Sequence, residues 1–136
     1  MDALNGDNVV AGGAVGTAFA QSLAIKDASA LRALFADEVD FRAMTPRRHW
    51  NATTPNEVID DIVLGCWFEP QDKIIELVAV DTDSFADCDR LSYRLLLSNP
   101  DGDYLVEQQA YFTVTDGGKI NWMRVICSGF RPITTR

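Results

Sequence analysis

The stretch from Tyr104 to Phe130, YLVEQQAYFTVTDGGKINWMRVICSGF, constrains this chain more than any other. Val, Ile, Tyr, Phe and Trp crowd both sides of Asp116-Gly117-Gly118-Lys119. Such residues suit pleated strands, and the four between them tolerate the positive φ of a tight hairpin turn. Two long strands so near the end of a small domain are expected to be central in a sheet that the earlier residues must cover.

The chain leading to this hairpin supplies that cover. Residues 1–13 are rich in Gly, Asn and Asp and read as a loose lead, with one folded domain over 14–132. From Ala14 to Lys26, Val15, Phe19 and Leu23 fall on one helical face, with Ala18 beside them. Asp27 caps a second short helix, expected over Ala28 to Ala36 with Leu31, Leu34 and Phe35 inward. VDFRAM alternates as a strand, with Val39, Phe41 and Ala43 on one side, and TPRRHW is a turn and a short extended piece. Thr54-Pro55-Asn56-Glu57 combines an N-cap, a first-turn proline and a capping-box glutamate. The helix it opens runs to about Phe68, with Val58, Ile59, Ile62, Val63 and Cys66 expected on the inner face. Glu69-Pro70-Gln71-Asp72 stops it, and KIIELVAVDTD and RLSYRLLLS read as two further strands. Helices gathered early against a later antiparallel meander make an α+β domain.

With 136 residues, 47% apolar and 24% charged, the chain suffices for one core. A net charge of −8 opposes a nucleic-acid partner, and no apolar run reaches membrane-span length. Cys66, Cys88 and Cys127 match neither zinc spacing nor a disulfide framework, and MDALNGDN has no basic leader region, which together suggest a reducing cytoplasm. VVAGGAVG approaches a dinucleotide fingerprint but has Ala11 in place of its first glycine, and no βαβ pattern follows. Asp81, Asp83, Asp87 and Asp89 imitate a calcium loop, yet Ala86 and Ser92 occupy the positions that need Gly and Glu. No cofactor or metal is expected.

FAQSLAIKDASALRALFADEVDF, the capped third helix and DGGKINWMRV together resemble the nuclear transport factor 2-like superfamily, in its SnoaL-like and ketosteroid isomerase-like branch. The resemblance spans roughly Val15 to Pro132. It implies a cone-shaped, curved antiparallel sheet around about three helices (a cystatin-like α+β barrel) with an apolar hollow for a small hydrophobic molecule. It also implies a homodimer through the outer sheet face, where Glu107, Gln109, Tyr111, Arg124 and Ile126 would lie. The fold hosts isomerases, cyclases, hydrolases and non-catalytic binding domains, so it does not by itself name a reaction.

The ketosteroid isomerase machinery does not carry over. Aligning FADEVDFRA places Ala43 at the family's base and Phe19 at its tyrosine donor, and aligning DGGKI places Ala110 at the second donor. The resemblance to limonene epoxide hydrolases fails similarly, because no aspartate lies between Tyr104 and Thr115. If Ala110 faces inward, strand alternation turns Gln108, Phe112, Met123, Val125 and Cys127 inward with it, and sets Tyr93 beside Leu91, Leu95 and Leu97. Tyr93 and Gln108 are then the hydrogen-bonding candidates of the hollow, or partners of nearby backbone. His49, with Arg47, Arg48 and Trp50, is either a solvated rim or a proton-transfer group. The expected walls are Phe19, Phe41, Trp50, Ile62, Cys66, Trp67, Leu95, Phe112, Met123 and Cys127. Two readings stay open: an isomerase-, cyclase- or hydrolase-like enzyme, and a non-catalytic ligand-binding or dimerisation domain.

Overall fold

The computed structural model describes residues 2–133, and the side chains of 12–133. Helix α1 spans Asp2–Ala24 and buries Phe19, Ala20 and Leu23 against the sheet. The expected lead at 1–13 falls almost wholly outside the residues whose side chains are described. Gly16 packs on the sheet: a Cβ there would sit 3.3 Å from Thr82 Cγ2, with the Phe112 ring and Leu91 at ordinary contact, 3.5 and 3.6 Å. Lys26, at φ 54°, turns the chain out of α1. Asp27 then accepts from the Ala30 amide at 3.0 Å to start α2, Ala28–Ala33.

Helix α2 is shorter than its sequence suggests. Leu34 caps it, and Phe35 opens strand β1, Phe35–Thr45. The Ile120 amide donates to the Leu34 carbonyl at 2.8 Å, so sheet pairing takes the residues that helical periodicity would have kept. On β1 Val39, Phe41 and Ala43 are buried, and the intervening residues are exposed. Strand β2, Arg48–Ala52, folds back antiparallel on it, with Ala43 opposite Trp50 and Met44 opposite His49.

The capping box forms as the sequence predicts. Glu57 N–H donates to Thr54 Oγ1 at 3.2 Å, and Glu57 Oε1 accepts from the Thr53 and Thr54 amides at 2.9 and 3.2 Å. The helix it opens is wound as a π-helix over Glu57–Trp67, ending with the Phe68 amide donating to the Val63 carbonyl at 2.9 Å. The wider turn delays each return to the inner face. Val58, Ile59, Ile62 and Val63 are buried as expected, but the next inward residue is Trp67, and Cys66 is exposed. Gly65 permits this winding, since a Cβ there would drive into the Asp60 carbonyl oxygen.

Four antiparallel strands follow: β3 Lys73–Phe85, β4 Cys88–Asn99, β5 Gly102–Val114 and β6 Ile120–Cys127. A two-residue β7, Arg131–Pro132, pairs with β5. Sheet order is β2-β1-β6-β5-β4-β3. The β1–β6 pair is parallel, which departs from the wholly antiparallel expectation. It arises because the chain enters β1 from the helices and not from a neighbouring strand. Register shifts in β1, in β3 and near Val114 bend the sheet around the helices. The Asp116-Gly117-Gly118 turn closes with Gly118 at φ 77° and the Thr115 amide on the Lys119 carbonyl at 2.8 Å.

Candidate functional site

The curved sheet is closed by packing at one end and open at the other. Phe19, Leu91, Leu95, Phe112 and Met123 fill the closed part and are buried. At the other end the β1–β2 hairpin, the end of the π-helix, the turn at 69–72 and the segment after β6 surround a hollow of about 550 Å³. Four of the residues around it are aromatic: Trp50, Trp67, Phe68 and Phe130. Trp50 meets Trp67 edge-on with centroids 6.1 Å apart, and Trp67 lies 6.2 Å from Phe41. Phe68 stacks on Phe130 at 6.2 Å, and Phe130 touches Tyr104 at 5.5 Å. Gly129, at φ 77°, passes so close to Pro46 that a Cβ would come within 2.8 Å of that ring. Arg48 lies 3.7 Å above the Trp50 ring, on the same strand face.

Behind the mouth stands a small polar group. The Tyr93 hydroxyl donates to Gln108 Oε1, so its partner is a side chain and not backbone. Gln108 is 4% exposed and pairs across the sheet with Cys127, which lines the mouth. Gln108 Nε2 has no hydrogen-bond partner, and its amide bears on the Cys127 thiol across the strand pair. Burial pushes the Cys127 thiol up, opposed by Gln108 and by the Gly129 N–H, 3.4 Å from the sulfur. Burial also holds the Tyr93 phenol well above its usual range, with Cys127 adding to the rise. Both groups are therefore neutral near pH 7.

One further wall escaped the sequence reading. Asp72 is 4% exposed, and its oxygens accept from the Glu69 amide and from Asn99 Nδ2, each at 3.0 Å. Lys26 Nζ donates to the Glu69 carbonyl at 2.7 Å and to the Asp72 carbonyl. Burial lowers the Lys26 pKa, and the charge of Asp72 opposes that fall. The Glu-Pro-Gln-Asp stop was visible in sequence, but a lysine more than forty residues away gave no sign of joining it.

The expected site residues therefore divide. Trp50, Cys66, Trp67 and Cys127 line the mouth. Phe19, Phe41, Ile62, Leu95, Phe112 and Met123 are core residues outside its lining. His49 is exposed on the side of β2 opposite Trp50. Ala43 and Ala110 point inward and are buried, as is Phe19. Asp40 faces out, held by Arg124 at 3.1 Å. Glu107, Gln109, Tyr111, Arg124 and Ile126 share the outer face in the expected register. Asp81 and Asp83 hold Arg90 at 2.8 and 3.7 Å. Among the described residues no three His, Cys, Asp or Glu side chains gather as a metal site, and no helix is long and apolar enough to cross a membrane.

No family model matches this sequence, and no curated protein matches it significantly. Solved structures match its shape. A Bacillus subtilis protein proposed to be an isomerase superposes with a TM-score of 0.69 at 13% identity, over 87% of this chain and 86% of that one. An LEH-like epoxide hydrolase of M. tuberculosis gives 0.65 at 12% identity, over 88% and 84%. An Agrobacterium tumefaciens protein of the SnoaL-like family, also proposed to be an isomerase, gives 0.59 at 14% identity, over 88% and 99%. These likenesses show the fold, which is nuclear transport factor 2-like and cystatin-like, with SnoaL-like and ketosteroid isomerase-like neighbours.

Proposed function

We propose that this protein binds a small hydrophobic molecule in the aromatic mouth of its cone. The observation that carries this is the pairing of Trp50 with Trp67 and of Phe68 with Phe130 around one open hollow. Concave sites of this size, in which aromatic side chains stand beside placed polar groups, are the usual form of small-ligand sites. Binding is favoured over isomerase, cyclase or hydrolase chemistry because those reactions move protons. The buried carboxylate of the mouth, Asp72, has both oxygens committed, and His49 faces away. Native mass spectrometry of protein purified from its own host is expected to show a small molecule that leaves on denaturation. A bare chain in repeated preparations, with no uptake of 2-acetylnaphthalene by fluorescence, would overturn the reading.

The outer sheet face supports a second proposal, a homodimer. Ile126 is 56% exposed and stands opposite Met44, which is 50% exposed, with Tyr111 and Phe85 packed together nearby. Aromatic residues, Met and Arg are enriched in such interfaces. Sedimentation at micromolar concentration is expected to give twice the 15.0 kDa chain mass, and Ile126→Asp the chain mass. A monomeric wild type would remove the proposal. In a reducing cytoplasm the three cysteines of this protein would remain thiols.

A further inference from the structure

The buried polar groups around the mouth are mostly committed, while Glu69 and Gln71 stand exposed at its rim. Trp50 Nε1 donates to Thr45 Oγ1 at 2.8 Å. Ser128 Oγ accepts from the Glu107 amide at 2.9 Å and donates to the Gly129 carbonyl at 2.8 Å. Asp72 accepts twice, and Gln108 Oε1 is taken by Tyr93. Among the described residues, two buried side-chain nitrogens have no partner, Trp67 Nε1 and Gln108 Nε2. Both are donors, so the inner wall lacks only acceptors.

Trp67 is the nearer of the two, because its own ring lines the mouth. It is 8% exposed, and it is there because the π-helix carries it inward in place of Cys66. An indole N–H buried without a partner is an exception in folded proteins and asks for an explanation. A ligand supplies one.

We propose that Trp67 Nε1 is the anchoring donor of this pocket, and that its ligand is a neutral, flat ring system bearing a hydrogen-bond acceptor such as an aryl carbonyl. The proposal rests on the reading of the mouth as a binding site. The flat body lies between the Trp50 and Phe130 sides, and its acceptor reaches the buried Trp67 N–H from the mouth. Glu69 and Asp72 on the same rim, in a chain of net charge −8, disfavour an anionic ligand. A cationic ring system without an acceptor leaves both nitrogens unpaired.

The test compares 2-acetylnaphthalene, 2-ethylnaphthalene and 2-naphthoate, three probes of one shape with a neutral acceptor, no acceptor and an anionic one. Affinities are measured by fluorescence on wild type and Trp67→Phe. Wild type is expected to prefer the ketone over the hydrocarbon by about tenfold, the upper range for one hydrogen bond, and to bind the carboxylate most weakly. In Trp67→Phe the preference falls to about one. Equal binding of ketone and hydrocarbon by wild type, or an unchanged preference in the variant, overturns the Trp67 assignment while leaving the pocket intact. Tightest binding of the carboxylate overturns the neutral class. Uptake of none of the three overturns both this inference and the reading beneath it. Should Trp67→Phe fail to fold, the wild-type indole resonances decide. One of the three tryptophan N–H signals is expected to move downfield with the ketone and not with the hydrocarbon. Three unmoved signals sink the proposal.

Discussion

Two hollows of nearly equal size lie on opposite sides of one sheet. The mouth holds about 550 Å³, and a groove on the outer face, between β3, β4, β5 and the end of β6, about 580 Å³. Their chemistry differs. In the outer groove Ser92 donates to Gln109 at 3.0 Å, Arg94 pairs with Glu107 at 2.9 Å, and Arg131 reaches the same carboxylate at 2.8 Å. Beside the exposed Val80 and Ile126, these solvated pairs satisfy one another and each contributes little stability. The mouth sets four aromatic residues, Trp50, Trp67, Phe68 and Phe130, beside a buried indole N–H without a partner. Volume alone does not distinguish the two. The unpartnered Trp67 N–H beside aromatic rings does, because a ligand there can pair a group that the fold leaves unpaired.

The largest effect is expected where the mouth depends on backbone winding. Gly65→Ala sets a methyl group against the Asp60 carbonyl, and the helix must rewind or shift. Overpacking of this kind costs about 1–3 kcal/mol, read as a drop in urea midpoint. Rewinding to an α-helix would also return Cys66 to the inner face and withdraw Trp67, so naphthalene uptake is expected to fall with stability. Full stability with full uptake would show that the π-helix does not build the mouth.

Next comes a direct contrast between the hollows. Trp50→Ala removes an aromatic wall and is expected to weaken 2-acetylnaphthalene binding by about thirtyfold, the scale of a buried aromatic anchor. Gln109→Ala, in the outer groove, is expected to leave the affinity unchanged. The reverse pattern would move the site to the outer face.

A smaller effect sharpens the distinction between holding the helix and lining the site. Thr54→Ala is expected to cost about 1 kcal/mol, the usual loss for an N-cap, with probe affinity retained. Glu57, the other half of the box, is held below its usual 4.5 by the Thr53 amide, then by the Thr53 hydroxyl and the Thr54 groups. A carboxylate with a depressed folded pKa stabilises above its unfolded value and loses that contribution as acid protonates it. The gap between wild type and Glu57→Ala in urea titrations should therefore narrow below pH 4.5, and the Thr54→Ala gap, which includes the Glu57 N–H to Thr54 bond, should narrow less. A pH-independent Glu57→Ala gap would contradict the cap.

These contrasts also mark what the sequence could disclose. Turn chemistry at Asp116–Lys119, the capping box and the alternation of Val39, Phe41 and Ala43 are local, and each was legible. Phe35 was not, because pairing of Leu34 with Ile120 is a tertiary choice that overrides helical spacing. Cys66 was placed inward by counting an α-helical turn. The single local hint of wider winding was Gly65, and an isolated glycine in a helix has many commoner explanations. Lys26 and Asp72 meet only through the fold. The site thus lies where local rules fail: in a π-helix, at a positive-φ lysine, and between distant chain segments.

The smallest effect expected is none. The mouth has donors for a carbonyl, so a 5-ene-3-ketosteroid is a fair test of whether donors alone give turnover. Isomerisation needs a base to carry the proton between carbons and donors to hold the enolate oxygen. The three inward positions that resemblance assigns to those roles hold Ala43, Phe19 and Ala110, all buried. Asp40, the carboxylate on the same strand, points outward to Arg124. Tyr93 keeps its proton and donates a hydrogen bond to Gln108, because burial disfavours its phenolate at neutral pH. A missing base alone costs about a hundred- to ten-thousandfold in rate. Conjugated-enone absorbance should therefore rise no faster with wild type, or with Tyr93→Phe, than in buffer. Turnover abolished by Tyr93→Phe would instead make the mouth an active site with Tyr93 at its centre, and the contrast between the two hollows would become one between catalysis and solvation.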